Sequence, residues 1–296
     1  MGKVYTFSQP LRFGHCDVAG IVALAPFFDI VNATVEDWFQ HGLEQPFDAF
    51  HLEHGYGNPI VSTGGEFLRA CRYGEMMTLE LAVAGLGRSS IELQISAKVN
   101  GDERMRVRHK TAMIDMDSFR ATAIPQAMRA KMLQYASEAG GGPERPARRM
   151  PAAHPPANCF RTQRQIRYSD CDSSEIVYFP RFFDVFTAAL EDWFARALGS
   201  PWGSDFMGRR NLRMPSLRIA CQFLKGCRVG EMLDVDLWLT RVGRSSIDVA
   251  LAGSVAGEPR LQVAWTLCVI DFASFRSVAI PEDLKAWMLP FLASGA

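Results

Sequence analysis

The segment LRFGHCDVAGIVALAPFFD, residues 11–29, is repeated later in the chain as IRYSDCDSSEIVYFPRFFD, residues 166–184. Both copies keep a Cys-Asp pair, and Asp17 aligns with Asp172 at an offset of 155 residues (172 − 17). A second motif, Gly-Arg-Ser-Ser-Ile, follows each copy in the same order and includes Arg88 and Arg244, at an offset of 156 (244 − 88). Matches in one order across both halves predict a duplicated domain.

The composition excludes several classes of protein. The chain has 296 residues, 48% hydrophobic, and its 32 basic and 32 acidic side chains give no net charge. Phosphate backbones are bound by a basic excess, so nucleic acid is not an expected partner. No apolar run reaches the ~18–20 residues of a membrane span, and the first residues are not predicted to form a signal peptide. Seven cysteines without metal-ligand spacing suit a cytoplasmic protein with reduced thiols.

A stretch rich in glycine, proline and arginine separates the two copies. It contains Gly-Gly-Gly and five prolines and shows no apolar periodicity, which is typical of a linker. We therefore predict a first domain over residues 1–136, a linker over 137–159 and a second domain over 160–296.

Each copy shows the pattern of one long helix followed by strands. Apolar spacing predicts a buried helix over residues 26–40, and alternating segments predict strands over 90–99 and 105–116. The Asn100-Gly101 pair between these two strands favours a tight hairpin turn. A short helix over 125–135 ends the copy. This order predicts an α+β fold in which a sheet wraps the long helix.

Asp17 and Asp172 are the candidate reactive groups. Each lies in a short loop ahead of the predicted helix, where a carboxylate can cap the helix amides. The same geometry can catalyse acyl transfer, because free amides bind an oxyanion while a carboxylate attacks a carbonyl or activates water. The chain has no nucleophile elbow and no phosphate-binding loop, and the His51-Leu52-Glu53-His54 stretch lacks metalloprotease spacing, so no metal is predicted.

Two motifs resemble the hotdog-fold 4-hydroxybenzoyl-CoA thioesterase family. They are Asp-x-Ala-Gly-Ile-Val at residues 17–22, and Asp-Cys-Asp followed by Ile-Val-Tyr-Phe-Pro within residues 170–180. The resemblance covers both halves nearly from end to end. It implies two tandem hotdog domains, each a curved antiparallel sheet wrapped around a long central helix. It further implies acyl-CoA hydrolysis with no metal and no cofactor beyond the coenzyme A of the substrate.

The resemblance also implies roles for particular residues. The family's catalytic carboxylate falls on Asp17 and Asp172, and its oxyanion-binding backbone amide falls on Leu24 and Phe179. The basic residues that meet the coenzyme A phosphates fall on Arg88 and Arg244, which are otherwise ordinary exposed charges at a strand end.

Each copy departs from the family pattern in its own way. The first copy has His15 where the family has Asp, and His15 is a weak alternative as a catalytic partner. The second copy has Glu175 where the family has glycine. Since glutamate adopts a positive φ only with strain, we expect the second loop to have a different shape.

Three functions are compatible with these residues. The leading one is an acyl-CoA thioesterase, and the others are an acyl-carrier-protein thioesterase and a non-catalytic acyl-CoA binding protein. The dehydratases of the same fold fit less well, because neither copy places Asp and His together at the pocket. We expect a homodimer, two halves that pair as one sheet, and pockets built from both halves. The acyl preference is not predictable from the sequence.

Overall fold

The chain divides into two compact units, Met1–Ala147 and Arg148–Ala296. The structure, a computed structural model, describes residues 2–137, 150–151, 155–197, 199 and 201–293. Most of the predicted linker lies outside the described residues, so its boundaries stay a prediction. Each unit is described by itself below.

The first unit contains an antiparallel sheet with the strand order β1-β4-β5-β6-β3. Alternate residues of these strands are buried, because one face of the sheet packs against helix and the other is polar. Three further short strands form a small separate sheet. The strands are β1 (Tyr5–Pro10), β2 (Tyr56–Gly57), β3 (Ile60–Phe67), β4 (Met76–Leu86), β5 (Ser90–Val99), β6 (Asp102–Ala112), β7 (Ile114–Asp115) and β8 (Arg120–Ala121).

The long helix α1 (Leu24–Asp37) lies against the inner face of this sheet. Phe27 packs on Phe67 of β3 with ring centroids 5.6 Å apart, and Phe28 is fully buried. The predicted helix is confirmed, although it begins two residues earlier and ends in a π-helical turn, Trp38–Gly42. The short helices α2 (Phe47–Leu52) and α3 (Gln126–Leu133) complete the unit.

The second unit repeats this arrangement. Its sheet has the order β11-β14-β13-β12-β9, and Phe182 of its long helix packs on Phe223 as Phe27 does on Phe67. The elements are β9 (Phe160–Gln165), α4 (Arg181–Asp192), β10 (Leu212–Arg213), β11 (Ser216–Phe223), β12 (Met232–Val242), β13 (Ser246–Val255), β14 (Glu258–Cys268), β15 (Ile270–Asp271), β16 (Arg276–Ser277) and α5 (Glu282–Met288). Equivalent strands pair in equivalent registers.

The predicted hairpin turn between β5 and β6 is confirmed. Asn100 and Gly101 have φ values of 51° and 82°, the left-handed conformations that a two-residue turn of this kind requires. Ala256 and Gly257 adopt 50° and 78° in the second unit. The predicted fold class, an α+β architecture with an antiparallel sheet around a long helix in each copy, is therefore confirmed.

Candidate functional site

The loop that carries Asp17 is closed by its own backbone. The Asp17 amide donates to Ile21 O at 2.9 Å, and the amide of Gly20 donates to Asp17 O at 2.9 Å. Gly20 has a φ of 70°, a conformation that glycine adopts without a steric cost. One carboxylate oxygen of Asp17 accepts the Ala19 amide at 2.8 Å. The carboxylate is therefore exposed but held in a defined orientation.

The loop around Asp172 follows the same backbone path. The Asp172 amide donates to Ile176 O at 3.2 Å, and the Glu175 amide donates to Asp172 O at 3.1 Å. Glu175 takes a φ of 62°, close to that of Gly20. The predicted difference in loop shape is therefore wrong. The hydrogen bonds of the loop impose the left-handed conformation on a glutamate, at a cost of roughly 1–2 kcal/mol.

The two carboxylates differ in what they accept. Oδ1 of Asp172 takes hydrogen bonds from both the amide of Ser174, at 2.9 Å, and the hydroxyl of Ser174. The equivalent residue in the first unit is Ala19, which donates only its amide. The Asp172 loop therefore supplies a hydroxyl donor of its own, which Ala19 cannot supply in the Asp17 loop.

His15 and Asp170 perform one structural task in the two units. Nδ1 of His15 accepts the Arg12 amide at 3.1 Å, and Oδ2 of Asp170 accepts the Arg167 amide at 2.8 Å. Each closes a short 3₁₀ turn ahead of the candidate carboxylate. From the sequence, His15 was a weak alternative as a catalytic partner, and its role in closing this turn was not predicted. The position of the turn, just before the Cys-Asp pair, is the signal that would have shown it.

Asp170 also belongs to an ion network in the second unit. It is 6% exposed and pairs with Arg164 at 2.9 Å. Asp184, on the first turn of α4, lies near the same charges, and its partial burial raises the pKa of that carboxyl group despite Arg181 at 3.7 Å. The residue equivalent to Arg164 in the first unit is Gln9. The turn before Asp17 therefore has an uncharged side chain, Gln9, in place of Arg164.

The first turn of α1 presents backbone amides close to the Asp17 loop. Position 26 is proline, so Leu24 and Ala25 carry the N–H groups that precede the first intrahelical bond. Within the described part of the chain, neither amide has an acceptor. Unpartnered amides at a helix start are donors for an anionic oxygen. This is the place where the sequence predicted the Leu24 amide.

The helix of the second unit begins differently. Phe179 and Pro180 form a turn, and the amides of Arg181 and Phe182 donate three residues back, to Tyr178 O at 2.9 Å and Phe179 O at 3.0 Å. The chain therefore enters α4 through a tight 3₁₀-type turn. In the first unit Phe27 donates four residues back to Ala23 at 3.1 Å, as in an α-helix. The two predicted oxyanion positions are thus equivalent in sequence but not in local geometry.

Arg88 and Arg244 lie on equivalent turns between two strands. The carbonyl of Arg88 accepts the Ile124 amide at 2.9 Å, and the carbonyl of Arg244 accepts the Ile280 amide at 2.8 Å. Both side chains are exposed, and neither makes an ion pair with any residue that the structure describes. The backbone of each turn is fixed while its guanidinium group points to solvent. That arrangement suits contact with an anion.

Within the first unit, Asp17 and Arg88 lie far apart. The Asp17 loop follows β1, whose last residue, Pro10, pairs with Met76 at the start of β4. The Arg88 turn follows Leu86 at the other end of β4. Ten residues of strand span roughly 30 Å. The structure therefore does not bring these two predicted site residues together within one unit.

The cysteine beside each candidate carboxylate is a poor nucleophile. Burial raises the pKa of Cys16 and of Cys171, and the charges of the neighbouring aspartates raise both further. Thiols with raised pKa values stay protonated at neutral pH and react slowly. Of the two residues in the Cys-Asp pair, the aspartate is therefore the candidate reactive group.

A family model described as the thioesterase-like superfamily matches residues 11–132 and 166–288. The two matches cover both loops and both long helices. The chain belongs to the thioesterase-like superfamily. This membership confirms the family resemblance and the predicted enzyme class, a thioester hydrolase.

Individual thioesterases are similar to parts of the chain or to its fold. The 1,4-dihydroxy-2-naphthoyl-CoA hydrolase of Synechococcus elongatus is 29% identical over 131 residues, which are 44% of this chain and 94% of the relative. The 4-hydroxybenzoyl-CoA thioesterase of Pseudomonas sp. is 28% identical over 133 residues, 42% of this chain and 94% of the relative. Both relatives therefore match about one copy of the repeat.

The 12:0-ACP thioesterase of Umbellularia californica matches the fold over most of the chain. The comparison has a TM-score of 0.72 and 9% identity, and it covers 90% of this chain and 94% of the other. At this identity the match supports the thioesterase fold and no more. In the present chain, no helix among the described residues is long and apolar enough to span a membrane. The homodimer and the cytoplasmic location stay predictions.

Proposed function

We propose that this thioesterase hydrolyses an acyl-CoA thioester to a free carboxylic acid and coenzyme A, with Asp17 as the reacting carboxylate. The observation that carries the proposal is the pairing of an oriented, exposed Asp17 carboxylate with two unpartnered amides at the start of α1. The curated relatives named above are hydrolases of CoA thioesters, which supports coenzyme A as the carrier.

The chemistry follows from the charge that develops in the reaction. Attack on the thioester carbonyl places negative charge on its oxygen, and the Leu24 amide is the donor proposed to stabilise it. Asp17 either attacks the carbonyl carbon, expelling the thiolate and forming an anhydride that water hydrolyses, or removes a proton from the attacking water. A burst of coenzyme A release before the steady state would favour the first route.

The second unit is proposed as the weaker site. Asp172 shares the loop geometry of Asp17, but the start of the following helix differs. Phe179, its proposed oxyanion donor, lies in a tight turn rather than in the first turn of an α-helix. We therefore expect the first unit to carry most of the turnover.

The test is the replacement of each aspartate by asparagine, which keeps the shape of the side chain and removes its negative charge. Asp17→Asn should lower kcat for an acyl-CoA at least about a hundredfold, the lower end for a lost general base. Asp172→Asn is the matched control and should cost much less. The assay follows the free thiol of released coenzyme A. Full activity in the double variant would exclude both carboxylates from the mechanism.

An acyl-carrier protein is the second candidate carrier, and one observation favours it. Phe13 and Tyr73, beside the Asp17 loop, are 81% and 64% exposed, with ring centroids 6.0 Å apart. Exposed aromatic pairs mark surfaces that contact other proteins. The test presents the same acyl group on coenzyme A and on an acyl-carrier protein and compares the two values of kcat/KM. The higher value identifies the preferred carrier. If neither thioester is hydrolysed, binding without turnover remains.

A further inference from the structure

The inner face of the first sheet carries polar side chains where the second sheet carries apolar ones. Equivalence is set by register, since Thr63 pairs with His109 as Ile219 pairs with Trp265. Four positions differ in this way, at an offset of 156 (267 − 111): Asn58, Thr63, His109 and Thr111 correspond to Met214, Ile219, Trp265 and Leu267.

These polar groups are deeply buried. Thr63, His109 and Thr111 are 3%, 2% and 1% exposed, and Oδ1 of Asn58 is buried as well. Nδ1 of His109 lies 3.1 Å from Oγ1 of Thr63 in a hydrogen bond. Burial lowers the pKa of His109 to about 4, so the ring is neutral at neutral pH. The group as a whole is polar and uncharged.

Two atoms of the group lack a partner. Among the residues that the structure describes, Oγ1 of Thr111 and Oδ1 of Asn58 make no hydrogen bond. A buried polar atom without a partner destabilises a fold. The second unit keeps the same backbone with Leu267 and Met214 at these positions, so the fold does not require the polar pair. Both atoms are therefore available to bond to a ligand.

The polar group lies at the far end of α1 from Asp17. The Asp17 loop adjoins the segment between β3 and β4, since the Val22 amide donates to Cys71 O at 2.9 Å. At this end Phe67 pairs with Met105, whereas Ile60 pairs with Thr111 at the other end. Six residues of β6 separate Met105 from Thr111, roughly 20 Å.

The side chains between these two ends are smaller and more flexible than those at the equivalent positions of the second unit. Gly65 has no side chain, and the methyl group of Met105 lies where a β-carbon would be, at 2.3 Å. Methionine is unbranched and repacks readily. The second unit has Cys221 and Leu261 at these positions. The space is filled by the Met105 side chain, so an acyl chain that enters beside Asp17 would have to displace an unbranched methionine.

We propose that the first unit holds the acyl chain of the substrate between α1 and strands β3 and β6, and that Thr111 and Asn58 bind a hydroxyl group on its distal half. The inference rests on the proposed thioesterase function. A hydroxyl group fits because it can donate to the Asn58 oxygen and accept from the Thr111 hydroxyl at once. A carboxylate or ammonium group does not fit, since the surrounding polar groups are neutral.

The test compares two acyl-CoA substrates of equal chain length, one with a hydroxyl group in its distal half and one without. The wild-type protein should prefer the hydroxylated substrate in kcat/KM. Thr111→Val, which replaces the hydroxyl by a methyl group, should reduce that preference about fivefold to tenfold. The variant should also have a higher Tm in the absence of substrate, because it removes an unpartnered buried hydroxyl.

Thr34→Val is the matched control. Thr34 is equally buried in the same unit, but its hydroxyl donates to Ile30 O at 2.9 Å. Thr34→Val should leave the preference for the hydroxylated substrate unchanged. Two results would overturn the inference: equal use of both substrates by the wild type, or a Thr111→Val variant that loses both activities equally and melts at a lower temperature.

A protein that hydrolyses no acyl-CoA would refute the proposed function without deciding this inference. In that event, calorimetric binding of the free hydroxylated acid against the plain acid measures the same preference directly. Tighter binding of the hydroxylated acid, lost in Thr111→Val, supports the polar site. Equal affinities overturn it.

Discussion

The loops around Asp17 and Asp172 keep one backbone path, whereas the sheet faces behind them have different chemistry. The loops share their closing hydrogen bonds even though Glu175 replaces Gly20. Behind them, His109 of the first sheet is replaced by Trp265 in the second. Backbone hydrogen bonds preserve the loop because they do not depend on side chains. The interior is free to diverge because packing tolerates any set of side chains that fills the space.

This contrast separates two requirements of a duplicated enzyme. Placing a carboxylate at a helix start needs only the loop, and both units meet that need. Accepting a particular ligand needs the interior, and there the units differ in size and polarity.

The largest expected effect is a pH dependence that one buried residue gives to the first unit. Its source is His109, whose pKa is lowered by burial from 6.5 to about 4. The unfolded chain binds a proton at a higher pH than the folded unit does. The free energy of unfolding should therefore fall as the pH drops from about 6.5 to about 4, by up to roughly 3 kcal/mol. Urea denaturation at several pH values measures this slope.

His109→Gln is the control for the pH dependence. Glutamine keeps a hydrogen-bonding side chain of similar reach and does not titrate, so the slope between these pH values should flatten. A slope that persists in His109→Gln would assign the effect to other groups. The second unit contributes nothing through Trp265, the residue equivalent to His109.

A smaller difference should separate the turns before the two candidate carboxylates. Asp170→Ala removes the partner of both Arg164 and the Arg167 amide and should lower the free energy of unfolding by about 2 kcal/mol. The figure is below that of a fully buried ion pair, because Arg164 is partly exposed. His15→Ala removes one hydrogen-bond acceptor and should cost about 1 kcal/mol. Equal losses would show that the ion pair adds nothing.

The smallest effects are expected at the two arginine turns. Arg88→Ala and Arg244→Ala should each raise KM for an acyl-CoA a few-fold, less at high salt, because exposed charges are screened. Arg88 should matter more. The guanidinium of Arg129 lies beside its turn, 2.7 Å from Gly87 O, whereas Arg241 beside Arg244 is paired with Asp248 at 2.7 Å. A short thioester without the nucleotide is the control and should be unaffected.

Much of the fold was predictable from the sequence, because it depends on local patterns. The offset between Asp17 and Asp172 predicted the duplication, and apolar spacing predicted the helix now seen as α1. The Asn100-Gly101 pair predicted the hairpin, because few residues adopt its left-handed conformations. The boundary of α1 differed by two residues, since helix ends depend on the bonds of the preceding loop.

The rest depends on contacts that no local pattern contains. Glu175 takes a left-handed conformation because the loop imposes it, against the preference of the residue. The buried position of Thr111 and its missing partner depend on the register of β6 with its neighbours. The separation of Asp17 from Arg88 follows from the pairing of β1 with β4, which the sequence analysis did not predict.

Trp265, which stands where the first unit has His109, also adds to an uneven distribution of tryptophan fluorescence between the two units. Five of the six tryptophans lie in the second unit, where Trp193, Trp238 and Trp265 are buried, and Trp38 alone represents the first. Intrinsic fluorescence therefore follows the second unit almost exclusively, while far-ultraviolet circular dichroism samples the backbone of both. Coincident curves from the two probes would mean that the units unfold as one cooperative body, and separated curves would give each unit its own midpoint.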